Sequence, residues 1–448
     1  MSLKRSAPAE QRDVSPPPVK RKIASATTNS AVSSFFKPAS QKPAEEVSWR
    51  LVDDSLIIGR YNPDLMPSQA RKHPVKIAAF DLDDTLITPT GAKFARGAEG
   101  WKWWDPCVPG RLRELHNEGY LVTIFTNQGG VSVKEKNPKS LQKEPLSLAK
   151  LKAQVINIFK ALDLPISLYG ASAQDRYRKP RIGMWEELLE DYDLRGDGAV
   201  DMDSSFYIGD AAGRERTDKR KKADWASSDR DLAANIGIRF QTPEEFFLGQ
   251  DVEPYKAAFD PTTYLSETAL KKALARFDKK YKQELVIFCG SPGAGKSTFY
   301  WRVLQPLAYA RINQDTLKSR DKCLKVARQC LDDQQSVAVD NTNADATARK
   351  YWVDLAKEFK IPIRCVWFTT PPRLAEHNDN VRAMNVELMN PEKRDMLPGI
   401  AFKSFQQRFQ EPKLDEGFDD ITTVDFSWQG TSEQQAVWSK HWVSKFST

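Results

Sequence analysis

Histidine and cysteine are both scarce: the 448-residue chain holds four of the first and five of the second. Four histidines (His73, His116, His377, His441) leave little room for chemistry built on several imidazoles. The cysteines (Cys107, Cys289, Cys323, Cys330, Cys365) are odd in number and form no CxxC pair. They read as buried thiols in a reducing compartment, not as a disulfide frame or a zinc site. No apolar run approaches the roughly 20 residues that span a bilayer. The opening stretch MSLKRSAPAEQRDVSPPP lacks the apolar core of a secretory signal. Membrane and secreted classes are thereby disfavoured.

A general excess of charge of one sign is missing as well. Lys and Arg number 67 against 60 Asp and Glu, a net +7. Residues 1–42 hold eight basic and two acidic residues, so +6 of that surplus sits in the tail and the remainder is nearly neutral. Binding of a polyanion by the body would have to rest on local patches.

What is present is a globular chain: 40% hydrophobic and 28% charged residues over this length predict two or three domains. Residues 1–48 are rich in Ser, Pro, Ala and Lys, and predict a disordered basic tail. Lys4-Arg5 and Lys20-Arg21-Lys22, spaced by a Pro-rich stretch, have the form of a bipartite nuclear import signal. Paired Phe35-Phe36 after Val32 resembles a sliding-clamp-binding box, with Asn29 in the place of its usual Gln.

From Trp49 to Gln250, short buried-strand patterns (Val75–Phe80, Leu121–Thr126, Ser205–Ile208) alternate with helical ones (Arg111–Glu118, Leu148–Leu162, Met184–Tyr192). This alternation predicts an α/β domain with a mainly parallel sheet, whose ligands sit at the carboxyl ends of the strands. Residues 251–280 read as a connector, with a Lys-rich helix at Lys271–Lys282. A second α/β domain is expected over 281–448, with strands at Leu285–Cys289, Ala310–Ile312, Val337–Val339 and Ile361–Phe368.

That second domain carries Gly290-Ser291-Pro292-Gly293-Ala294-Gly295-Lys296-Ser297, followed by Thr298, between a strand and a helix. The pattern is that of a phosphate-binding loop. Its backbone N–H groups surround phosphate, Lys296 would bridge the β- and γ-phosphates of ATP, and Ser297 would ligate Mg²⁺. Asp315, in Asn313-Gln314-Asp315, could act as general base toward an attacking hydroxyl or simply cap a helix. Asp340-Asn341 closes the next strand, where acceptor-binding, nucleic-acid-binding or metal-organising residues collect. Arg373 and Arg382 lie on a later helical stretch, from which an arginine could close over the phosphoryl group as part of the ATP site.

In the first domain, Asp81-Leu82-Asp83-Asp84-Thr85 follows a strand at once. Three carboxylates in four residues repel one another unless a cation neutralises them, which implies Mg²⁺. Alternation gives Asp81 and Asp83 a common facing, so that one can attack phosphorus while the other handles the proton. Thr126-Asn127-Gln128, Lys179 and Gly209-Asp210 follow at later strand ends or loops. Beyond Asp210, Arg214, Arg216, Lys219, Arg220, Lys221 and Lys222 against Glu215 and Asp218 suggest a cationic loop facing a polyanionic substrate. Trp101, Trp103 and Trp104 could stack on unpaired bases, but at least two of them are expected to pack internally.

The segments FDLDDT, FTNQ, YRKP and IGD, in this order, resemble the haloacid-dehalogenase superfamily of phosphatases. The resemblance implies Asp81 as nucleophile and Asp83 as general acid/base, with Thr126, Asn127 and Lys179 on the phosphoryl oxygens. It implies Asp81, Asp83 and Asp210 about Mg²⁺, with Asp224 or Asp229 in support. Joined to GSPGAGKST, INQDTL and DNTN, the whole resembles the polynucleotide kinase 3′-phosphatases, phosphatase first. What that implies is a nuclear, monomeric, Mg²⁺-dependent repair enzyme that removes 3′-phosphates from DNA strand ends. It would also phosphorylate 5′-hydroxyls with ATP, Asp315 being the base. RNA end-healing by the same chemistry is the alternative, and a non-enzymatic scaffold or a small-molecule kinase/phosphatase are weaker ones.

Overall fold

The computed structural model describes residues 47–62, 73–90, 100–134, 144–218, 220–265 and 277–445. The basic tail with its import signal, the Phe35-Phe36 motif and Lys219 lie outside these residues. Among the described residues no helix is long and apolar enough to cross a membrane.

The strands are β1 (Val47–Val52), β2 (Leu56–Tyr61), β3 (Ile77–Phe80), β4 (Ile87–Pro89), β5 (Trp101–Trp103), β6 (Leu121–Asn127), β7 (Ile166–Ala171), β8 (Phe206–Ile208), β9 (Arg239–Gln241), β10 (Leu285–Cys289), β11 (Tyr309–Ile312), β12 (Ser336–Val339), β13 (Ile363–Phe368) and β14 (Asp420–Val424). The first half is built on a seven-stranded sheet of order β1-β2-β7-β6-β3-β8-β9. Its β7-β6-β3-β8-β9 portion is parallel, while β2 and β1 add antiparallel on one edge. Strands β3 and β8 are buried along their whole length, because helices cover both faces. One face packs on the helices Val108–Asn117 and Leu146–Leu162, the other on Gly183–Asp191 and Ser228–Ile236.

The second half is a five-stranded, all-parallel sheet of order β11-β12-β10-β13-β14. Both sheets thus bring the carboxyl ends of their central strands to one rim, where loops gather chemistry. The expected α/β class and two-sheet architecture hold. Of the Lys-rich helix expected at Lys271–Lys282, residues 277–282 are non-helical, and 271–276 lie outside the described residues. All five cysteines are free, but Cys107 is exposed, not buried. It begins a helix at the surface, where Asp105 Oδ1 accepts from its backbone N–H at 2.9 Å.

The halves meet at an apolar cluster of Phe259, Leu374, Val381, Trp438 and Val443. Beyond Trp438 the chain leaves the second half, and residues 441–445 lie against the helix Ser228–Ile236 of the first. Ser227 N–H donates to Ser444 O (2.9 Å). Asp231 Oδ2 accepts from Ser444 Oγ (2.6 Å) and from Ser227 Oγ (2.7 Å).

Two candidate active sites

At the rim of the first sheet, Asp81 follows β3 directly, and its N–H donates to Ile208 O of β8 (2.8 Å). The carboxylates of Asp81, Asp210 and Asp229 gather there, with one oxygen of each within 4.8 Å of the others. Lys179 is buried among them. Its Nζ lies 2.7 Å from Asp81 Oδ1 and 2.7 Å from Asp229 Oδ1, and donates to Phe125 O and Tyr207 Oη at 3.0 Å. Three carboxylates around one ammonium leave an uncompensated negative charge in a buried place. Burial accordingly pushes Asp81 up to about 7 against the pull of Lys179. Burial and the neighbouring Asp229 and Asp81 carboxylates raise Asp210 well above the carboxylate range. For Lys179, burial opposes its charge, but Asp229 and Asp81 outweigh it and its pKa rises. A hard divalent cation with oxygen ligands is the group that this donor set fits.

Asp83 lies at the edge of the cluster rather than within it. Its Oδ2 accepts from Gln128 Nε2 (2.9 Å), and the same amide nitrogen reaches Thr126 Oγ1 (2.9 Å). Asn127 Oδ1 accepts from the backbone N–H of Lys179 (3.0 Å) and so fixes the segment from which that ammonium rises. Gln128 and Tyr207 were assigned no role from sequence. Asp83 lies 45 residues before Gln128, and Lys179 and Phe125 lie 28 and 82 residues before Tyr207, separations that local pattern does not reveal.

Asp224 and Asp229 differ in place. Asp229 joins the carboxylate cluster, while Asp224 Oδ2 accepts from Ala212 N–H (3.2 Å), Arg214 N–H (3.0 Å) and Arg214 Nε (2.9 Å).

The cationic loop needs correction. Arg214 is buried, pairs with Asp224 and with Glu244 (2.7 Å), and donates to Asp210 O (2.9 Å). Arg220 pairs with Glu253 (2.6 Å), Glu244 (3.1 Å) and Asp224 (3.5 Å). Both side chains tie the loop down, so neither offers its charge to a substrate. Arg216, Lys221 and Lys222 remain exposed, against exposed Glu215 and Asp218. Trp101, Trp103 and Trp104 pack against the core of the first half.

At the second rim, Gly290–Ser297 joins β10 to the short helix Lys296–Phe299. A Cβ at Gly293, where φ is +72°, would sit 2.0 Å from Ala375 O, so the loop needs glycine where the helix Pro372–Met384 crosses it. That helix holds the loop through Asn378 Nδ2, which donates to Gly293 O (3.0 Å); Thr370 Oγ1 reaches Ala294 O (3.1 Å) from just before it. Lys296 Nζ donates back to Gly290 O (3.0 Å) and Ser291 O (2.6 Å), and burial pushes its pKa down to about 8. Pro292 is half-buried and Thr298 exposed on the same loop.

Ser297 Oγ donates to Asp340 Oδ2 (2.8 Å), which also accepts from Arg311 Nε (2.9 Å). Asp340 is therefore buried at the phosphate loop and does not belong to a nucleic-acid face. Asn341 is half-buried; its Oδ1 accepts from Gln314 N–H (2.9 Å) and orients the turn carrying Asp315. Asn313, not Asp315, caps that turn, accepting from Asp315 N–H (2.9 Å) and Thr316 N–H (3.2 Å). The Asp315 carboxylate is free of capping duty and 74% exposed, with Arg394 at 3.2 Å. Arg394 has no motif around it and was missed from sequence. Arg382 pairs with Asp379 on the helix over the loop, and its Nε is buried without a partner among the described residues.

Comparison with known proteins places the two halves in named families. Residues 76–247 match the family described as polynucleotide kinase 3 phosphatase, and residues 285–412 match the AAA domain family. A bifunctional polynucleotide phosphatase/kinase of Schizosaccharomyces pombe is 39% identical over 383 residues, 85% of this chain and 85% of that protein. A mimivirus protein described by the same two activities is 34% identical, over 84% of this chain and 90% of its own length. The polynucleotide 3′-phosphatase ZDP of Arabidopsis thaliana is 36% identical over 183 residues, 40% of this chain and 25% of its own.

Proposed function

The chain belongs to the bifunctional polynucleotide phosphatase/kinase family, and on that premise we propose that it repairs the two termini of a broken DNA strand. A 3′-phosphate would become a 3′-hydroxyl at the first rim, and a 5′-hydroxyl would become a 5′-phosphate at the second. The observation that carries this reading is that one chain holds both a buried carboxylate cluster around Lys179 and a phosphate loop with Ser297 bonded to Asp340.

Mg²⁺ held by Asp81, Asp210 and Asp229 at one rim, and by Ser297 at the other, would supply charge neutralisation of the phosphate groups. The remaining work falls to side chains. Lys179 engages one oxygen of Asp81 and leaves the other to attack phosphorus. As that O–P bond forms, the bond from phosphorus to the 3′-oxygen breaks, and Asp83 gives the departing oxygen its proton. Thr126 and Lys179 stabilise charge on the transferring group. Asp83, now a carboxylate, takes a proton from the water that attacks the aspartyl phosphate, which releases inorganic phosphate and restores Asp81. Gln128 orients Asp83 for both proton transfers.

At the second rim, Asp315 accepts the proton of the 5′-hydroxyl as its oxygen attacks the γ-phosphorus of ATP, and ADP departs. Lys296, turned toward the loop carbonyls here, is positioned to swing onto the phosphates.

The same reading assigns the protein to the nucleus through Lys4-Arg5 and Lys20-Arg21-Lys22, as a monomer. It adds docking on the sliding clamp through Phe35-Phe36, which predicts loss of clamp pull-down in Phe35→Ala/Phe36→Ala.

The test uses a nicked duplex with 3′-phosphate and 5′-hydroxyl ends, Mg²⁺ and labelled ATP. Asp81→Asn should lose only dephosphorylation, and Lys296→Ala only labelling. Matched RNA ends in competition separate the RNA-healing alternative. Wild-type protein that leaves both DNA ends unchanged would overturn the proposal.

A further inference from the structure

The loop beyond Asp210 carries one large, exposed aromatic side chain. Residues 211–218 and 220–229 form the two arms of this loop, which leaves Asp210 and returns at Asp229, so both its feet stand in the carboxylate cluster. Its rungs are Asp229 N–H to Ala211 O (3.1 Å), Gly213 N–H to Ala226 O (3.1 Å) and Asp224 N–H to Arg214 O (2.9 Å). The ion pairs of Arg214 and Arg220 with Asp224, Glu244 and Glu253 lock the stem from beneath.

On this locked stem stands Trp225, with 67% of its surface exposed. Among the described residues its indole makes no hydrogen bond, ring contact or cation–π contact. Tyr255, on the chain that pairs with Arg214, is 51% exposed but has Arg230 over its ring at 3.5 Å. Trp225 is thus a bare aromatic surface on a stem that side-chain pairs keep from folding it inward. Asp229 lies four positions further on, which places Trp225 within about 14 Å of it along the chain. Nucleotides adjoining a terminal phosphate in the cluster lie within that range.

We propose that Trp225 is the platform on which an unpaired base of the substrate strand stacks as its 3′-end enters the carboxylate cluster. It makes the site selective for a polynucleotide over a small phosphate ester. The inference rests on the phosphatase reading above. Aromatic stacking tolerates any base. Arg216, Lys219, Lys221 and Lys222 outnumber Glu215 and Asp218, and Trp225→Ala leaves all of these charges in place, so what the substitution removes is the base contact alone.

The test measures 3′-dephosphorylation by the full chain on two single-stranded oligonucleotides, one ordinary and one abasic at the nucleotides before the 3′-phosphate. Trp225→Ala should raise KM on the ordinary strand about ten-fold with little change in kcat, and leave KM on the abasic strand unchanged. Trp225→Phe should restore most of the loss. The salt dependence of KM should be the same in wild type and Trp225→Ala, since no phosphate contact is removed. Kinase activity on a 5′-hydroxyl checks folding of each variant. Equal KM for wild type and Trp225→Ala on the ordinary strand overturns the inference, and so does an equal loss on both strands. Failure of wild type to dephosphorylate either strand instead overturns the phosphatase reading.

Discussion

Asn235 and His441 exchange two hydrogen bonds: His441 N–H donates to Asn235 Oδ1 at 2.8 Å, and Asn235 Nδ2 donates to His441 O at 2.8 Å. The same amide nitrogen reaches Pro180 O at 2.9 Å, one residue beyond Lys179. One side chain of the first half therefore ties together residue 441 of the second half, the helix Ser228–Ile236 and the segment that carries the buried ammonium.

Asn235→Ala should remove all three bonds and leave buried backbone groups unpaired, at a cost of about 2–4 kcal/mol. Urea unfolding of the variant checks the stability. Dephosphorylation should fall more than 5′-phosphorylation, because Lys179 loses part of its support and the phosphate loop does not touch Asn235. Equal loss of both activities would count against that assignment.

Asp81 has a pKa of about 7 in the folded protein against an ordinary 3.8. The folded state therefore binds more protons than the unfolded chain between these values. Stability from this group is fully present below 3.8 and is lost as pH rises through about 7. Without divalent cation, wild type should lose melting temperature across this window, and Asp81→Asn, which cannot ionise, should melt higher than wild type at pH 7. Mg²⁺ should raise the wild-type melting temperature by mass action and raise that of Asp81→Asn less. Thermal melts with and without EDTA, from pH 4.5 to 7.5, check both signs.

Lys296 at about 8 predicts a different pH limit for the kinase site. The loop without nucleotide loses its ammonium as pH rises through that value, whereas triphosphate binding needs the charge. The Kd for ATP should rise about ten-fold per pH unit above 8, and Lys296→Ala should show weak binding with no such rise. Calorimetric titration between pH 7 and 9.5 measures it.

His377, between Phe259 and Trp438, is pushed by burial down to about 3, and its Nε2 hydrogen bonds Trp438 O at 2.8 Å. Here the unfolded chain binds more protons between pH 3 and 6.5, so this group costs stability progressively as pH falls below 6.5. His377→Gln should flatten that acid limb while retaining a donor toward Trp438 O. Unfolding midpoints at pH 5 and pH 7 provide the comparison.

The chemistry that lies contiguous in the chain was legible in the sequence. Asp81 and Asp83 follow one strand, and Gly290–Ser297 is a single loop, so strand pattern and motif locate them together. The rest depends on partners far away in the chain. Arg214 reads as a free cation until Glu244, 30 residues on, is seen to pair with it. Asp224 and Asp229 are equivalent as letters, and only the loop between Asp210 and Asp229 separates their duties. Strand β1 escaped individual recognition because it lies on the sheet edge with several side chains in water and lacks the apolar run of β3. Residues 441–445 gave no signal at all, because the side chains that hold them, Asn235, Asp231 and Ser227, lie more than 200 residues earlier in the chain.

The strap formed by those residues bears on how the protein is made. Ser444 lies 213 residues beyond Asp231, its hydrogen-bond partner. At ribosomal speeds of about 5–20 residues per second, the helix bearing Asp231 emerges roughly 10–40 s before the segment that closes over it. During that interval Asp231, Ser227 and Asn235 must keep their hydrogen bonds to water, and the first half exists in a looser form than the finished protein. A nascent chain paused before residue 441 should therefore expose this helix to protease, and its release should bring protection to a region translated long before.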